Sequence, residues 1–193
     1  MVAEDARGGG ERDRNSFLIF TYGTLKRGFF NHTLMQDLIH NGHAAFVGSY
    51  LTAEKYPLVY GPYWVPFLIN LLGSGNRVEG ELYTVSTRGL VQIDELEGTS
   101  RGHYERLPIK LVPQDVGNDA VSNVDDDDDE LQTCAEAYYA HKSYAMELWN
   151  KDGKRGFCVY SNKEARGYVK RKDRPQNLTF LDQIRLFVSS ESG

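Results

Sequence analysis

The sequence is poor in cysteine and has no apolar leader. Its 193 residues contain two cysteines, Cys134 and Cys158, which lie too far apart in the chain to indicate a disulfide framework or a zinc site. Residues 1–16 mix acidic and basic side chains around three glycines, so they resemble neither a secretory signal nor an organelle transit peptide. We therefore expect a cytoplasmic protein with a disordered arm at residues 1–15.

Several common catalytic motifs are also missing. There is no Gly-x-Ser-x-Gly elbow, which argues against a serine hydrolase, and the five histidines show no His-Glu-x-x-His spacing. The glycine-rich stretch at residues 73–75 lacks the Lys-Ser/Thr pair of a phosphate-binding loop, so it is more typical of a hairpin turn. The pattern predicts neither a metal site nor a bound nucleotide.

Charge is concentrated in one acidic run. Residues 125–130 supply six carboxylates, and the rest of the chain carries 22 basic and 21 acidic residues. A balanced body lacks the broad basic surface that nucleic acids attract. The run lies in a predicted solvated loop at residues 113–131, and the short basic run Lys170, Arg171 and Lys172 is predicted to be exposed surface.

Hydrophobic periodicity predicts a fold built mainly from strands. Hydrophobic residues make up 40% of the chain and charged residues 25%, which is ordinary globular usage and indicates no membrane span. We predict one domain at residues 16–188, followed by a disordered tail at 189–193. It is α+β, with a mixed, curled sheet forming a small barrel with two or three short helices. Strands are predicted at residues 16–22, 44–52, 57–60, 65–72, 78–85, 104–112 and 135–141, with a last apolar run at 157–160.

Predicted helix ends are marked by polar caps and glycines. Asn31 is expected to cap a short first helix that ends at Gly42, and Ser86 caps a second helix that ends at Gly98. A further short helix is predicted at residues 144–150, and residues 178–188 form a candidate docked helix.

The first candidate site is the turn after the first strand. Gly23 and Gly28 bracket the basic pair Lys26 and Arg27, so the backbone can turn tightly and expose consecutive amide N–H groups. Such groups can hold a carboxylate or an oxyanion. An ordinary strand-to-loop turn would have the same sequence features, so this motif alone does not define a site.

The second candidate is Glu97 at the end of the second helix. Helical spacing places it on the same stripe as Ile93, whereas Asp94 and Glu95 are expected to face outward. The negative end of the helix dipole and partial burial both disfavour ionisation and raise the carboxyl pKa. Glu97 is therefore a candidate general base, the alternative being an ordinary surface carboxylate.

Several short motifs occur in the same order as in a known superfamily. They lie between residues 17 and 112, at residues 20–28 (FTYGTLKRG), 31–32 (NH), 56–59 (YPLV), 73–75 (GSG), 78–83 (VEGELY), 94–97 (DELE) and 104–106 (YER). This order resembles the gamma-glutamylcyclotransferase-like superfamily, and within it the gamma-glutamylamine cyclotransferases and the plant avirulence-induced proteins.

The resemblance implies an enzyme that needs no metal or organic cofactor. In this superfamily the substrate's own α-amine attacks its γ-carbonyl, which gives 5-oxoproline and releases an amine or peptide. The resemblance implies that Glu97 is catalytic and that Tyr22, Gly23, Thr24 and Leu25 bind the substrate, mainly through backbone amides. The expected partner is a small gamma-glutamyl compound, with no nucleic acid and no membrane; the leaving group and the oligomeric state are left open.

Two other functions are compatible with the same motifs. A non-catalytic binding or regulatory protein would keep the pocket without the chemistry, and an unrelated amide hydrolase would release free glutamate. The acidic insertion and the long segment after residue 157 depart from the compact superfamily pattern, and the latter is a candidate cover for the pocket. Tyr104 is a further candidate for the pocket wall. Arg27, Arg101 and Arg106 could pair with a substrate carboxylate, but arginines near turns are usually solvated, so they are left out of the predicted site.

Overall fold

The computed structural model describes residues 15–114 and 132–190. The other residues hold most of the predicted N-terminal arm, most of the acidic loop and the end of the predicted tail, which therefore lie outside the described residues. The strands are β1 (Ser16–Thr21), β2 (Ala44–Thr52), β3 (Leu58–Tyr60), β4 (Pro66–Leu68), β5 (Glu79–Ser86), β6 (Tyr104–Pro113) and β7 (Thr133–Ala140). The described helices are α1 (His32–His40), α2 (Thr87–Glu97), α3 (Ala145–Lys151), α4 (Asn162–Ala165) and α5 (Phe180–Ser189).

Five of the strands close into a barrel. The sheet order is β1-β5-β2-β6-β7-β4-β3, and β1 pairs a second time, with β7, so that β1, β5, β2, β6 and β7 form a ring. The β1–β7 pair is parallel, and the other four pairs of the ring are antiparallel. The predicted α+β barrel is therefore confirmed, although the described residues contain more helices than the two or three predicted.

The core consists of two apolar clusters on opposite faces of the barrel wall. Successive strand residues point to opposite faces, so Phe20 joins one cluster and its neighbour Ile19 joins the other. The Phe20 cluster contains no residue from the described helices, whereas the Ile19 cluster includes Leu90 and Ile93 of α2 and Ile184 of α5. The helices therefore cover the outside of the barrel, and α2 is held there by its apolar stripe.

The helix ends agree with the predicted caps, with one exception. Ser86 Oγ accepts a hydrogen bond from the Gly89 amide at 3.2 Å, and Gly98 ends α2 in the left-handed conformation at φ 66°. Asn31 precedes α1, but its side chain donates to Thr24 Oγ1 at 2.8 Å and does not cap the helix. Asn31 therefore occupies the predicted N-cap position, but its side chain binds the loop after β1 and makes no capping hydrogen bond.

Two apolar segments form less strand than their sequences predict. The structure limits β4 to Pro66–Leu68, whereas the sequence predicts a strand over residues 65–72. The run at residues 157–160 forms no strand. It is held by single hydrogen bonds, from the Phe157 amide to the Leu58 carbonyl and from the Glu79 amide to the Cys158 carbonyl. Apolar composition predicted burial here but not ladder pairing.

Gly80 in β5 is expected to tolerate no side chain. A Cβ at this position would lie 2.5 Å from the buried Phe20 ring and 2.5 Å from the Thr21 carbonyl oxygen. Overpacking against a fixed backbone costs about 1–3 kcal/mol, so we expect Gly80→Ala to lower the free energy of unfolding by about 2 kcal/mol in urea denaturation.

The matched control is Gly48→Ala in β2. Its nearest contact would be a Tyr50 ring atom at 3.2 Å, at the edge of a side chain that can shift. Equal losses in the two variants would contradict the assignment of Gly80 as a point of close approach between strands.

Candidate active site

A cavity lies between the loop after β1 and the end of α2. It encloses about 360 Å³, including space at its open mouth. Its walls include all five residues that the sequence predicts for the site: Tyr22, Gly23, Thr24, Leu25 and Glu97. The structure therefore brings the predicted loop and the predicted carboxylate to one place.

The loop after β1 approaches β4 closely at Gly23. A Cβ on Gly23 would lie 2.7 Å from Cγ of Pro66, so this position favours glycine for lack of space. The Lys26 amide closes the turn by donating to the Gly23 carbonyl at 3.2 Å. Within residues 15–114 and 132–190, the amides of Gly23, Thr24 and Leu25 have no protein acceptor. Because all three residues line the cavity, their amides are candidate donors to a ligand, and this role stays a prediction.

Tyr22 has a role in the structure that differs from that of the next residues. Its hydroxyl donates to the Tyr138 carbonyl at 2.6 Å and accepts from the Leu68 amide at 3.2 Å. Burial raises the pKa of this phenol well above its ordinary value, so it stays neutral. Its hydroxyl therefore ties the end of β1 to β7 and β4, and only the rest of the residue is available to line the cavity.

Glu97 is the last residue of α2, one turn after the fully buried Ile93. Its side chain is half-buried and lines the cavity. Burial, and secondarily the charge of Asp94, raise the Glu97 pKa from 4.5 to about 7, although Arg171 opposes the shift. Among the described residues its carboxylate has no ion pair and accepts no hydrogen bond.

Asp94 does not face solvent, so this prediction from the sequence is wrong. Its carboxylate accepts hydrogen bonds from the Tyr138 hydroxyl at 2.7 Å and from Nε of Arg106 at 3.1 Å. Positions three apart on a helix are neighbours, so Asp94 shares the inner side of α2 with Glu97. Glu95 is exposed as predicted and pairs with Arg101.

Two tyrosines complete the wall beside Glu97. Tyr104 lines the cavity as the sequence suggests, and its hydroxyl donates to the Pro66 carbonyl at 3.2 Å. Tyr138 also lines the cavity, and sequence reasoning did not identify it. The available signal was strand alternation, because Tyr138 lies on the face of β7 opposite Ala137 and Tyr139, which belong to the other core cluster.

A second cavity adjoins the first at Glu97. It encloses about 920 Å³, including its opening to solvent, and shares Thr24, Val65, Glu97 and Tyr104 with the first cavity. Its outer walls come from residues 168–180, a part of the chain that sequence analysis identified only as a candidate cover for the pocket. The basic residues at 170–172 are exposed, as predicted, but they also border this cavity.

Metal ligands are not clustered in the described ranges, which contain no group of three or more His, Cys, Asp or Glu side chains placed to hold an ion. That the reaction needs no metal or organic cofactor remains a prediction.

In residues 15–114 and 132–190 no helix has the length and apolar character that crossing a bilayer requires. Cys134 and Cys158 are both free and exposed.

Comparison with known proteins finds a family whose model includes the five predicted site residues. The family model described as gamma-glutamyl cyclotransferase, AIG2-like matches residues 19–151, which include the loop after β1 and all of α2. A provisionally named gamma-glutamylcyclotransferase of Arabidopsis thaliana is 59% identical over 174 residues, which are 90% of this chain and 92% of that protein. The human gamma-glutamylaminecyclotransferase is 49% identical over 95 residues, 49% of this chain and 61% of that protein.

A solved structure supports the same relationship. The crystal structure of a mouse AIG2-like protein superposes with a TM-score of 0.65 at 29% identity, over 82% of this chain and 99% of that chain. The family model covers well over half of the present chain, and the Arabidopsis relative extends the similarity over most of the remainder. The chain therefore belongs to the gamma-glutamyl cyclotransferase, AIG2-like family of enzymes.

Proposed function

We propose that the protein releases 5-oxoproline from a gamma-glutamyl amide by attack of the substrate's own α-amine. One observation carries the proposal: Glu97, which has no ion-pair partner in the described residues, shares a cavity with the free amides of Gly23, Thr24 and Leu25. A proton acceptor and a set of oxyanion donors are the two groups that this reaction needs.

The proposed reaction begins with a proton transfer to Glu97. The ionised carboxylate takes a proton from the α-ammonium group, and the neutral amine attacks the γ-carbonyl carbon to form a five-membered ring. Because nucleophile and electrophile belong to the same molecule, binding has only to orient them. The negative charge that develops on the carbonyl oxygen is stabilised by the loop amides.

The second half of the reaction returns the proton. The tetrahedral intermediate collapses, the bond from the γ-carbon to the leaving nitrogen breaks, and protonated Glu97 gives its proton to that nitrogen. The ring nitrogen, which became cationic on attack, loses its second proton by way of the regenerated carboxylate to the released amine, which leaves as an ammonium ion. No water molecule is consumed. A carboxyl pKa of about 7 suits this cycle, because the group is then ready both to accept and to donate a proton near neutral pH.

Product analysis in oxygen-18-labelled water tests the proposal. With a gamma-glutamyl amide as substrate, we expect equal amounts of 5-oxoproline and free amine, and 5-oxoproline without the label. Labelled glutamate would show that water attacks the γ-carbonyl carbon. The protein would then be an amide hydrolase, and the proposal would be wrong. Saturable binding without any product from a panel of gamma-glutamyl compounds would favour the non-catalytic binding protein.

The same proposal includes a cytoplasmic location and a small-molecule partner, without nucleic acid or membrane. Two free, exposed cysteines support a reducing compartment, where thiols persist. A fluorescent fusion found in the secretory pathway would contradict this location.

A further inference from the structure

We propose that the second cavity is a leaving-group subsite in which Arg174 binds a carboxylate carried by the released amine. This inference rests on the proposed function, because it takes Glu97 as the point where the amide bond is cut. It narrows the substrate class to gamma-glutamyl derivatives of amino acids or peptides, in preference to those of simple alkylamines.

The connection between the two cavities determines where the leaving group lies. Both cavities use Thr24, Glu97 and Tyr104 as walls, so Glu97 stands at their junction. With the glutamyl head against the loop amides in the first cavity, the scissile bond lies at this junction. The leaving group then extends into the second cavity, which is the larger of the two.

Arg174 is a buried cation in the wall of that second cavity. Only 8% of the residue is exposed, and its guanidinium carbon lies 5.2–5.4 Å from the ring centres of Tyr63, Tyr168 and Phe180. Nε donates to the Val169 carbonyl at 2.9 Å. In the described parts of the chain, Arg174 forms no ion pair with a carboxylate. Buried charges are normally paired, so a bound anion would supply the missing partner.

Three other arginines near the barrel differ in this respect. Arg27 pairs with Glu81, Arg101 pairs with Glu95, and Arg106 pairs with both Asp94 and Glu136. Their guanidinium groups are therefore committed to carboxylates of the protein. Arg174 is more deeply buried than these three and lacks such a partner, which points to a ligand.

The surroundings of Arg174 are strongly cationic. Lys170, Arg171 and Lys172 border the same cavity, and Glu97 is the single acidic residue among the described residues that line it. Arg171 is held toward Glu97 by a hydrogen bond from Nη2 to the Leu96 carbonyl at 3.1 Å. A cavity lined mainly by one sign of charge attracts the opposite charge, and a guanidinium fork matches a carboxylate.

The cationic wall of the subsite lies outside the part of the chain that the family model matches. That match ends at residue 151, whereas Tyr168, Arg174 and Phe180 follow it. Glu97 and the loop amides lie within it. Glu97 and the arginine proposed to select the leaving group therefore lie on different segments of the chain.

Two matched series of substrates test the inference. One series joins the gamma-glutamyl group to ω-amino acids of graded chain length, and the other joins it to alkylamines of the same lengths without the carboxylate. At the best length we expect the carboxylate compound to have a kcat/KM about tenfold or more above its partner, as for a charge-assisted hydrogen bond. Arg174→Gln is expected to bring this ratio close to one, and Arg174→Lys to give an intermediate ratio.

Arg166→Gln is the matched control, because it removes the same charge from an exposed position on the same segment, away from the cavity walls. It is expected to leave the ratio unchanged. An unchanged ratio in a folded Arg174→Gln variant would overturn the inference. An equal loss on both series would also overturn it, since Arg174 would then act on the glutamyl head or on the fold.

Calorimetric binding to Glu97→Gln separates this inference from the proposed function. Tighter binding of the carboxylate series supports the subsite whether or not the wild-type protein forms 5-oxoproline. Equal affinity for the two series overturns the subsite even if Arg174→Gln fails to fold, because this comparison keeps Arg174 in place. If the wild-type protein forms no 5-oxoproline but Glu97→Gln still binds the carboxylate series more tightly, the proposed reaction is wrong and the subsite stands.

Discussion

Glu97→Gln is expected to lower kcat for 5-oxoproline release by about two orders of magnitude or more, as is typical for loss of a general acid-base group. Glutamine has nearly the same size but cannot take the proton from the substrate ammonium. The fold should remain intact, because among the described residues the Glu97 carboxylate has no ion pair or hydrogen bond to lose. The measurement is steady-state turnover with chromatographic detection of 5-oxoproline.

Glu95→Gln provides a matched control on the same helix. It makes the same chemical change two positions away, at a side chain that is 72% exposed and pairs with Arg101. Exposed pairs contribute little to stability, so turnover and unfolding should stay close to wild type. If the two variants lose turnover equally, or if Glu97→Gln keeps full activity, Glu97 is not the proton-transfer group.

The second large effect is a pH dependence of kcat/KM set by Glu97. Its pKa is raised to about 7, chiefly by burial, and the proposed reaction needs its ionised form. We therefore expect kcat/KM to rise about tenfold per pH unit below about pH 7 and to level off above it. Initial rates over a pH series give this profile, and the residual activity of Glu97→Gln should lack the acidic limb.

Stability measurements report the same pKa without turnover. In the unfolded chain Glu97 has its ordinary pKa of 4.5, and in the folded chain the pKa is about 7, so the folded state binds the proton more tightly. Its contribution to stability is thus present below about pH 4.5 and is lost as pH rises through about 7. Relative to Glu97→Gln, the wild-type free energy of unfolding should fall across this window. A constant difference would contradict the raised pKa.

Sequence patterns predicted the features that depend on neighbouring residues. The bounds of β2 match the prediction, and α2 lies between the predicted Ser86 cap and Gly98 because a cap and a left-handed glycine act locally. The inward direction of Glu97 followed from its spacing to Ile93. The five predicted site residues then met at one cavity, because the loop and the helix end were both correctly placed.

Features that depend on contacts between distant segments could not be read from the sequence. Asp94 was expected to face outward because helical spacing places it off the stripe of Ile93 and Glu97, but Arg106 and Tyr138 from two strands pair with it. Arg174 carried no motif, and its burial depends on rings contributed by three separate segments. Such sites become visible only when the tertiary packing is known.

Closure of the barrel has a consequence for the timing of activity. The hydrogen bond from Tyr22 to Tyr138 joins positions 116 residues apart, and the parallel pairing of β1 with β7 completes the same seam. A nascent chain that has not yet emerged as far as β7 possesses the loop and Glu97 but lacks the wall that Tyr138 supplies. Contacts this distant form late and slowly. We therefore expect the candidate site to be complete only after β1 and β7 have paired.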